Sequence, residues 1–156
     1  GVGLSVQVAA WRAGGAAGLV LTKNTITGNK RLGIDWNFDG VTANDTGDLD
    51  AYLQNFPTIS SAKTDGATVT LTGTLNSTAS STFTIEFFAS PACDPSGYGE
   101  GQRYLGSATV TSDGSGTATF NVSLPGRVAT GQFATATATE ATAGTSEFSA
   151  CVAFTL

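Results

Sequence analysis

The sequence predicts an all-β protein, a β-sandwich preceded by a short β-helix-like segment. Only 12% of the 156 residues are charged, and glycine occurs 20 times. Threonine and serine are abundant. Threonine and valine suit pleated strands, while glycine marks turns. Turn signals recur about every 10–15 residues over the last two thirds of the chain, which is the spacing of short antiparallel strands. The length allows one or two small domains.

The first part of the chain, residues 1–34, alternates apolar and polar side chains as a strand does. After the glycine-rich turn at 14–18, short apolar pairs end in asparagine or glycine, as at Asn24 and Asn29. Very short strands with such corners are typical of the rungs of a right-handed parallel β-helix. An ordinary hairpin or meander is the alternative. The alternating apolar positions are Leu4, Val6, Val8 and Ala10.

The densest charge lies in residues 35–50, DWNFDGVTANDTGDLD. These residues hold five aspartates and no Lys or Arg, so the segment alone accounts for the net charge of −5. Packing so many like charges together costs repulsion unless the loop is solvated or holds a cation. Asp35, Asn37 and Asp39 place oxygen ligands at alternate positions ahead of Gly40, as in the first half of an EF-hand loop.

The second half of this segment departs from the EF-hand pattern, because Thr46 stands where that loop has a bidentate glutamate. We therefore expect a calcium loop of different geometry, since oxygen ligands without histidine or thiolate suit Ca²⁺. An acidic, solvated linker is the alternative. The candidate ligands are Asp35, Asn37, Asp39, Val41, Asp45, Asp48 and Asp50.

Seven strands are predicted within 53–156. Phe83, Ile85 and Phe87 share one face of the third strand, which would point Glu86 to solvent. In the sixth strand, GQFATATATE, we expect the alanines to pack inward and the threonine hydroxyls to face water. The predicted ranges are 53–62, 67–76, 82–89, 102–111, 116–124, 131–140 and 146–155.

The two cysteines, Cys93 and Cys151, predict one disulfide and an oxidising compartment. The bridge would pin the irregular loop 90–101 to the last strand. Closing the loop of about 60 residues between the two cysteines would stabilise the folded chain by roughly 4 kcal/mol in the chain-entropy model. Two buried free thiols are the alternative.

A longer run in the chain resembles a family of bacterial surface proteins. In that family the last rungs of a parallel β-helix pass through an Asp-rich GID…DGVT.ND.GD.D segment into LQNFP and an immunoglobulin-like β-sandwich. The run here is NTITGNKRLGIDWNFDGVTANDTGDLDAYLQNFPTISSA. The later runs EFFASPACDPSGYGEGQRYLGSATVTSDGSG and TATEATAGTSEFSACVAF resemble the sandwich of that family.

The resemblance covers about residues 20–156 and implies an extracellular, non-catalytic module. With it, we interpret 1–34 as β-helix-like rungs or an exchanged strand, 35–52 as the calcium loop and junction, and 53–156 as the immunoglobulin-like sandwich. Two stretches depart from the family. The triplet at 35–37 replaces a more usual glycine-containing one and adds an oxygen ligand, and 49–52 replaces a Thr-Gly-Pro-type turn.

Several function classes are disfavoured by what the chain contains. Without histidine, no His-dependent triad or imidazole metal site can form. Paired carboxylates that hydrolyse glycosides are an alternative for the aspartates, but metal ligation explains them better, so we expect no enzyme. The sequence has no basic patch with interleaved aromatic residues of the kind that binds nucleic acid. No apolar run reaches the ~18 residues of a membrane helix, and with no leader pattern at the start we expect any signal peptide to have been removed.

These observations favour a structural protein that self-associates outside the bacterial cell or on its surface. One or two rungs cannot bury their own faces, so a neighbouring copy or upstream rungs of the same protein must cover them. Copies would stack head to tail or add a strand, giving a filament or surface layer. The expected subunit contacts are Leu4, Val6, Val8 and Trp11.

The 90–103 loop supports an alternative function, that of an adhesin or carbohydrate-binding module of a larger secreted protein. Tyr98 would stack on a sugar while Glu100 and Arg103 donate or accept hydrogen bonds. A stapled structural loop explains the same residues without a ligand. A third hypothesis is that the chain is a domain appended to an enzyme whose catalytic part lies upstream. Trp11 and Trp36 are expected to be cap or core residues rather than sugar platforms.

Overall fold

The computed structural model describes residues 6–8, 18–49 and 53–156. The described residues form ten strands and no helix, so the prediction of an all-β protein is confirmed. The predictions for Leu4, Trp11 and Asp50 lie outside the described residues. The strands are β1 Val6–Val8, β2 Ile34–Trp36, β3 Thr58–Thr64, β4 Thr68–Asn76, β5 Thr82–Ser90, β6 Arg103–Thr111, β7 Thr117–Pro125, β8 Phe133–Glu140, β9 Gly144–Thr145 and β10 Val152–Ala153.

Two antiparallel sheets pack face to face, as predicted for a β-sandwich. One sheet has the strand order β3-β4-β7, and the other has β10-β8-β5-β6 with β9 beside β8. Alternate side chains of both sheets enter the core because successive residues of a strand point to opposite faces. The rings of Phe87 and Phe120 meet there edge to face, with centroids 5.3 Å apart. The core includes Val69, Leu71, Leu75, Phe83, Ile85, Phe87, Ala118, Phe120, Ala134, Ala136 and Ala138.

Five predicted strands match β4 to β8 to within two residues at each end. The continuous strand predicted over 146–155 is wrong, because the only strand within that range is β10, while β9 ends just before it at Thr145. Ser146 donates its N–H to the carbonyl of Ala138 at 2.8 Å, but the N–H of Ala138 bonds to Ser146 Oγ at 2.9 Å. Ser149 and Ala136 repeat this arrangement. The serine hydroxyls thus replace backbone carbonyls and interrupt the ladder.

The outer face of the larger sheet is covered rather than exposed. Thr135 and Thr137 of β8 are at most 2% exposed, so the expectation that the threonines of this strand face water is wrong. Residues 18–49 contribute side chains to a second apolar cluster on that face. Trp36, at 1% exposure, lies in this cluster, which confirms that it is a core residue. The cluster consists of Ile26, Ile34, Trp36, Phe88 and Phe148.

Residues 18–49 form the segment that covers the outer face of the larger sheet, here called the covering segment. Three buried glutamates of the sandwich accept hydrogen bonds from its backbone N–H groups. Glu86 Oε2 accepts from the N–H of Lys23 at 2.9 Å. Its side chain is 2% exposed, so the prediction that it points to solvent is wrong, because the covering segment lies over it. Burial raises the pKa of Glu86, although the hydrogen bond from Lys23 opposes the rise. The other two bonds join Glu100 Oε1 to the N–H of Asn29 at 3.1 Å and Glu147 Oε1 to the N–H of Trp36 at 2.8 Å.

The first described strand, β1, pairs in parallel with β2. Val6 lies opposite Ile34 and Val8 opposite Trp36. Among the described residues, β2 is the only strand that pairs with β1. The second edge of β1 therefore has no partner within the described part of the chain.

The predicted disulfide between Cys93 and Cys151 is confirmed. The bridge ties the loop that follows β5 to the segment that precedes β10. Backbone bonds support the same contact, because Gly99 donates to the carbonyl of Ser149 at 3.1 Å and Cys151 donates to Gly97 at 2.9 Å. The loop is thus pinned to the last part of the chain, as the sequence predicted.

Removing the disulfide should lower the stability of the sandwich. The two cysteines are separated by 58 positions, so the bridge restricts a long loop of the unfolded chain. We expect the double variant Cys93→Ser, Cys151→Ser to lose roughly 4 kcal/mol in free energy of unfolding, measured by urea titration. Reductant should lower the stability of the wild type towards that of the variant and leave the variant unchanged. A loss below about 1 kcal/mol would contradict the expectation.

Replacing Glu86 by Gln should change how stability depends on pH. The substitution keeps an oxygen to accept the Lys23 N–H and removes a buried charge. Because the pKa of Glu86 is raised in the folded protein, its contribution to stability is present below the ordinary glutamate pKa and is lost as pH rises through the raised value. Between about pH 4 and pH 8, the unfolding free energy of Glu86→Gln should therefore fall less than that of the wild type.

The variant Glu140→Gln is a control, because its stability should depend on pH in the opposite direction. Burial disfavours the charged form of Glu140, but hydrogen bonds from Thr142 and Ala143 outweigh burial and lower its pKa. Its contribution is present above the ordinary pKa and is lost as pH falls. As pH falls below about 5, the unfolding free energy of Glu140→Gln should therefore fall less than that of the wild type, so its pH-dependent shift relative to wild type is opposite to that of Glu86→Gln. A shift in the same direction for both variants would contradict this account.

Candidate functional site

The first half of the aspartate-rich segment forms a tight turn after β2. Asp35 is 2% exposed, and its Oδ1 accepts the N–H of Gly40 at 3.3 Å. Asn37 and Phe38 both have positive φ, 67° and 58°, within the turn between Asp35 and Gly40. The side chains of Asn37 and Asp39 are exposed. The buried carboxylate of Asp35 therefore stabilises this turn.

Glu147 lies against this turn and was not singled out by sequence reasoning. Its Oε2 accepts the N–H of Thr42 at 2.8 Å, besides the bond from Trp36 described above. Burial raises the pKa of Glu147 to about 6 against these hydrogen bonds, and the negative charge of Asp35 adds to the rise. Val41, a predicted ligand, lines a shallow cleft beside Glu147. This half of the segment is thus fastened to the sandwich through Glu147.

The second half of the segment is fastened by amide side chains. Asn55 Oδ1 accepts the N–H of Asp45 at 3.1 Å, and Asn55 Nδ2 donates to the carbonyl of Asp45 at 2.6 Å. Asn44 makes the same two-way exchange with the backbone of Phe56, at 2.8 and 2.9 Å. Asn76, at the end of β4, accepts the N–H of Gly47 at 2.9 Å. The NDTGD and QNF stretches of the sequence therefore bind each other directly.

Asp45 and Asp48 come together in this second half. Burial raises the pKa of Asp48, and the nearby charge of Asp45 adds to the rise, while hydrogen bonds from Ser77 and Asn55 oppose it. Ser77 Oγ donates to Asp48 Oδ2 at 2.5 Å. Gln54 Nε2 donates to the same Ser77 Oγ at 2.9 Å. One carboxylate and one amide thus meet at the hydroxyl of Ser77, which directly follows β4, and the carboxylate of Asp45 lies near enough to Asp48 to act on its charge.

Three oxygen acceptors in this second half and just after it are buried and lack a hydrogen-bond donor among the described residues. They are Asp45 Oδ1, Asp48 Oδ1 and Gln54 Oε1. The described residues contain no group of three or more Asp, Glu or Cys side chains placed to hold a metal ion. Calcium accepts amide as well as carboxylate oxygens, so Asp45, Asp48 and Gln54 are the residues here that could contribute ligands to such an ion.

Gln54, Asn55, Ser77 and Glu147 are the site residues that the sequence did not reveal. Gln54 and Asn55 directly follow the aspartate-rich segment, and their amides are the one sequence signal that was available. The sequence predicts a strand over 53–62 instead, whereas β3 begins at Thr58, and ahead of it the Asn55 side chain bonds to Asp45 and the Gln54 side chain bonds to Ser77. Ser77 and Glu147 are distant in sequence and carry no local signal.

The loop considered for sugar binding uses its polar groups within the chain. Glu100 accepts hydrogen bonds from Asn29, and Arg103 Nη2 donates to the carbonyl of Arg127 at 2.7 Å. The ring of Tyr98 packs edge to face on Phe56, with centroids 5.5 Å apart. These contacts account for the residues as parts of a stapled loop.

Comparison with known protein families does not assign the chain to any of them. A scan of the sequence against protein-family models finds no match. The described part of the chain holds no helix of the length and apolar character that crossing a membrane requires. The resemblance to bacterial β-helix surface proteins therefore stays a prediction.

Replacing Asn55 by Ala should loosen the junction between the aspartates and the sandwich. The change removes the acceptor for the Asp45 N–H and the donor to the carbonyls of Asp45 and Asn76, which leaves buried backbone groups unpaired. We expect a loss of about 2–3 kcal/mol in free energy of unfolding by urea titration. Asn121, whose side chain is exposed on β7, supplies the control Asn121→Ala, which should change stability by under about 0.5 kcal/mol. Equal losses for the two variants would contradict the role of Asn55.

Proposed function

We propose that the chain is a non-catalytic extracellular structural module of the bacterial surface. It associates with copies of itself into a filament or surface layer, and calcium in the aspartate-rich segment and the disulfide stabilise it. The observation that carries this proposal is the parallel pairing of β1 with β2. Parallel strands this short are what successive β-helix rungs provide, and the edge of β1 that has no partner in the described part of the chain would accept a further strand.

The pair of strands is too small to be stable as an isolated sheet. β2 is buried on the sandwich, whereas β1 pairs only with β2 among the described residues. The second edge of β1 has no strand partner among the described residues, and it would offer the backbone donors and acceptors of Val6–Val8 to a further strand. A strand from a second copy, or an upstream rung of the same protein, satisfies them. Head-to-tail addition does not close on itself and therefore builds a fibre.

The sandwich is proposed to be of the immunoglobulin-like type. In that type, three strands form one sheet and four strands form the other, with connections that cross between the sheets. The order β3-β4-β7 against β10-β8-β5-β6 supports this assignment. The resemblance of the sequence to β-helix surface proteins with such a sandwich points the same way.

An extracellular location is proposed from the disulfide. The bridge between Cys93 and Cys151 is compatible with an oxidising environment, where such bonds form and persist. The net charge of −5 agrees with the absence of nucleic acid from the proposed partners. The carbohydrate-binding alternative receives no support from Glu100 and Arg103, whose groups are used within the chain.

Deleting residues 1–8 should abolish self-association, because it removes the strand that presents the open edge. We expect the full chain at high concentration to form filaments or larger species, seen by negative-stain electron microscopy and light scattering. The deletion variant should remain monomeric under the same conditions. Its thermal unfolding, followed by circular dichroism, establishes that the sandwich is still folded.

A shorter deletion of residues 1–3 is the matched control, since it leaves β1 in place, and it should assemble like the full chain. Assembly of the 1–8 deletion at the wild-type concentration would contradict the role of β1. A full chain that stays monomeric at every concentration would contradict self-association itself.

A further inference from the structure

Two of the unpaired oxygens at the junction belong to side chains that are almost entirely buried. Gln54 is 4% exposed and Asp48 is 6% exposed, yet Gln54 Oε1 and Asp48 Oδ1 have no donor among the described residues. Buried polar atoms are nearly always satisfied, because an unpaired one forfeits its hydration without compensation. A bound group that supplies positive charge would satisfy both oxygens.

The orientation of the Gln54 amide is fixed by its neighbours. Its Nε2 donates to the carbonyl of Asn55 at 3.1 Å and to Ser77 Oγ at 2.9 Å. Turning the amide over would place Oε1 against the Asn55 carbonyl, which is also an acceptor, so the oxygen must stay on the unpaired side. Since Ser77 in turn donates to Asp48, the glutamine and the aspartate are held by one hydroxyl.

Asp45 adds a second carboxylate to this group. Its Oδ2 accepts the N–H of Leu49 at 2.8 Å, which leaves Oδ1 buried without a donor among the described residues. The negative charges of Asp45 and Asp48 act on each other, and no Lys or Arg lies between 35 and 50 to offset them. A cation would relieve this repulsion and pair the three oxygens at once.

We propose that one Ca²⁺ binds at Asp45 Oδ1, Asp48 Oδ1 and Gln54 Oε1. This site deepens the calcium part of the proposed function, on which it rests. It assigns the ion to the second half of the aspartate-rich segment rather than to the EF-hand-like half. Ca²⁺ takes six to eight oxygens in flexible geometry and accepts amide oxygens, whereas Mg²⁺ requires a near-ideal octahedron and Zn²⁺ favours nitrogen and sulfur. Water and backbone carbonyls would complete the shell.

The ion would join two parts of the chain. Asp45 and Asp48 belong to the aspartate-rich segment, while Gln54 lies just ahead of the sandwich and holds Ser77 at the end of β4. A single ion thus fixes the segment that follows β2 to the start of the sandwich, beside the Asn55 bonds that already join them.

Calcium chloride titrated into the metal-free full chain tests the site. Isothermal titration calorimetry should show one Ca²⁺ bound per chain, and about a hundredfold excess over the dissociation constant should raise the melting temperature by about 5 °C or more. Magnesium chloride at the same concentration should produce a smaller rise. A protein whose melting temperature is the same in calcium and in EDTA, and which binds no ion by calorimetry, would overturn the site.

Asp45→Asn and Asp39→Asn form a matched pair of variants. Asp45→Asn keeps an oxygen for the Leu49 N–H and removes one ligand charge, so calcium binding should weaken at least about tenfold. In EDTA its melting temperature should equal or exceed that of the wild type, because the repulsion with Asp48 is reduced, which shows that the variant folds. Asp39→Asn, altered at an exposed position of the other half, should bind calcium like the wild type. Loss of binding in Asp39→Asn with retention in Asp45→Asn would overturn the assignment.

Calcium binding and self-association can be tested separately. Calorimetry and melting on the monomeric 1–8 deletion measure calcium binding without any self-association. Filaments formed by a chain that binds no calcium would remove the site and leave the assembly role intact. Calcium bound by a chain that never associates would leave the site intact and remove the assembly role.

Discussion

The N-terminal segment depends on three buried carboxylates that take the place of strand partners. Residues 18–49 contain only one short strand, so most of their backbone N–H groups have no ladder to join. Glu86, Glu100 and Glu147 rise from the larger sheet and its adjoining loops to accept N–H groups of Lys23, Asn29 and Trp36. A buried donor without a partner is costly, so these bonds determine where the segment can lie.

This arrangement makes the outer face of the larger sheet a second interior. Ile26, Trp36 and Phe148 add apolar contacts there, and the threonines of β8 are enclosed beneath them. Enclosing charged groups has a cost, which appears as the raised pKa values of Glu86 and Glu147, both caused chiefly by burial. The segment is therefore stabilised by apolar burial and by charge-assisted hydrogen bonds, and destabilised by the desolvation of the same carboxylates.

The inner core could be predicted from the sequence, whereas the outer one could not. Alternation at Phe83, Ile85 and Phe87 depends only on strand geometry, and so does the placement of β4 to β8. The alternating alanines and threonines of β8 are equally compatible with a solvated face or with one covered by polar contacts. Glu86 shows the same ambiguity, because only the distant Lys23 explains its burial.

The aspartate-rich segment shows a similar limit. Its charge density was evident from composition, and its spacing suggested one loop with all ligands in series. In the folded chain the two halves have different partners: Asp35 lies near Glu147, and Asp45 is hydrogen-bonded to Asn55. Local spacing cannot reveal residues that reach a site from other strands, which is why Glu147 and Ser77 were missed.

The disulfide also determines how mechanical tension would pass through the molecule. A pull applied to the chain beyond Cys151 can separate only the residues that follow this cysteine, among them β10, before it reaches the covalent bond. The load then passes to Cys93, just beyond β5, which lies between β6 and β8 inside the larger sheet. In a fibre under shear, the force would thus be delivered to an interior strand rather than to an edge that can unzip.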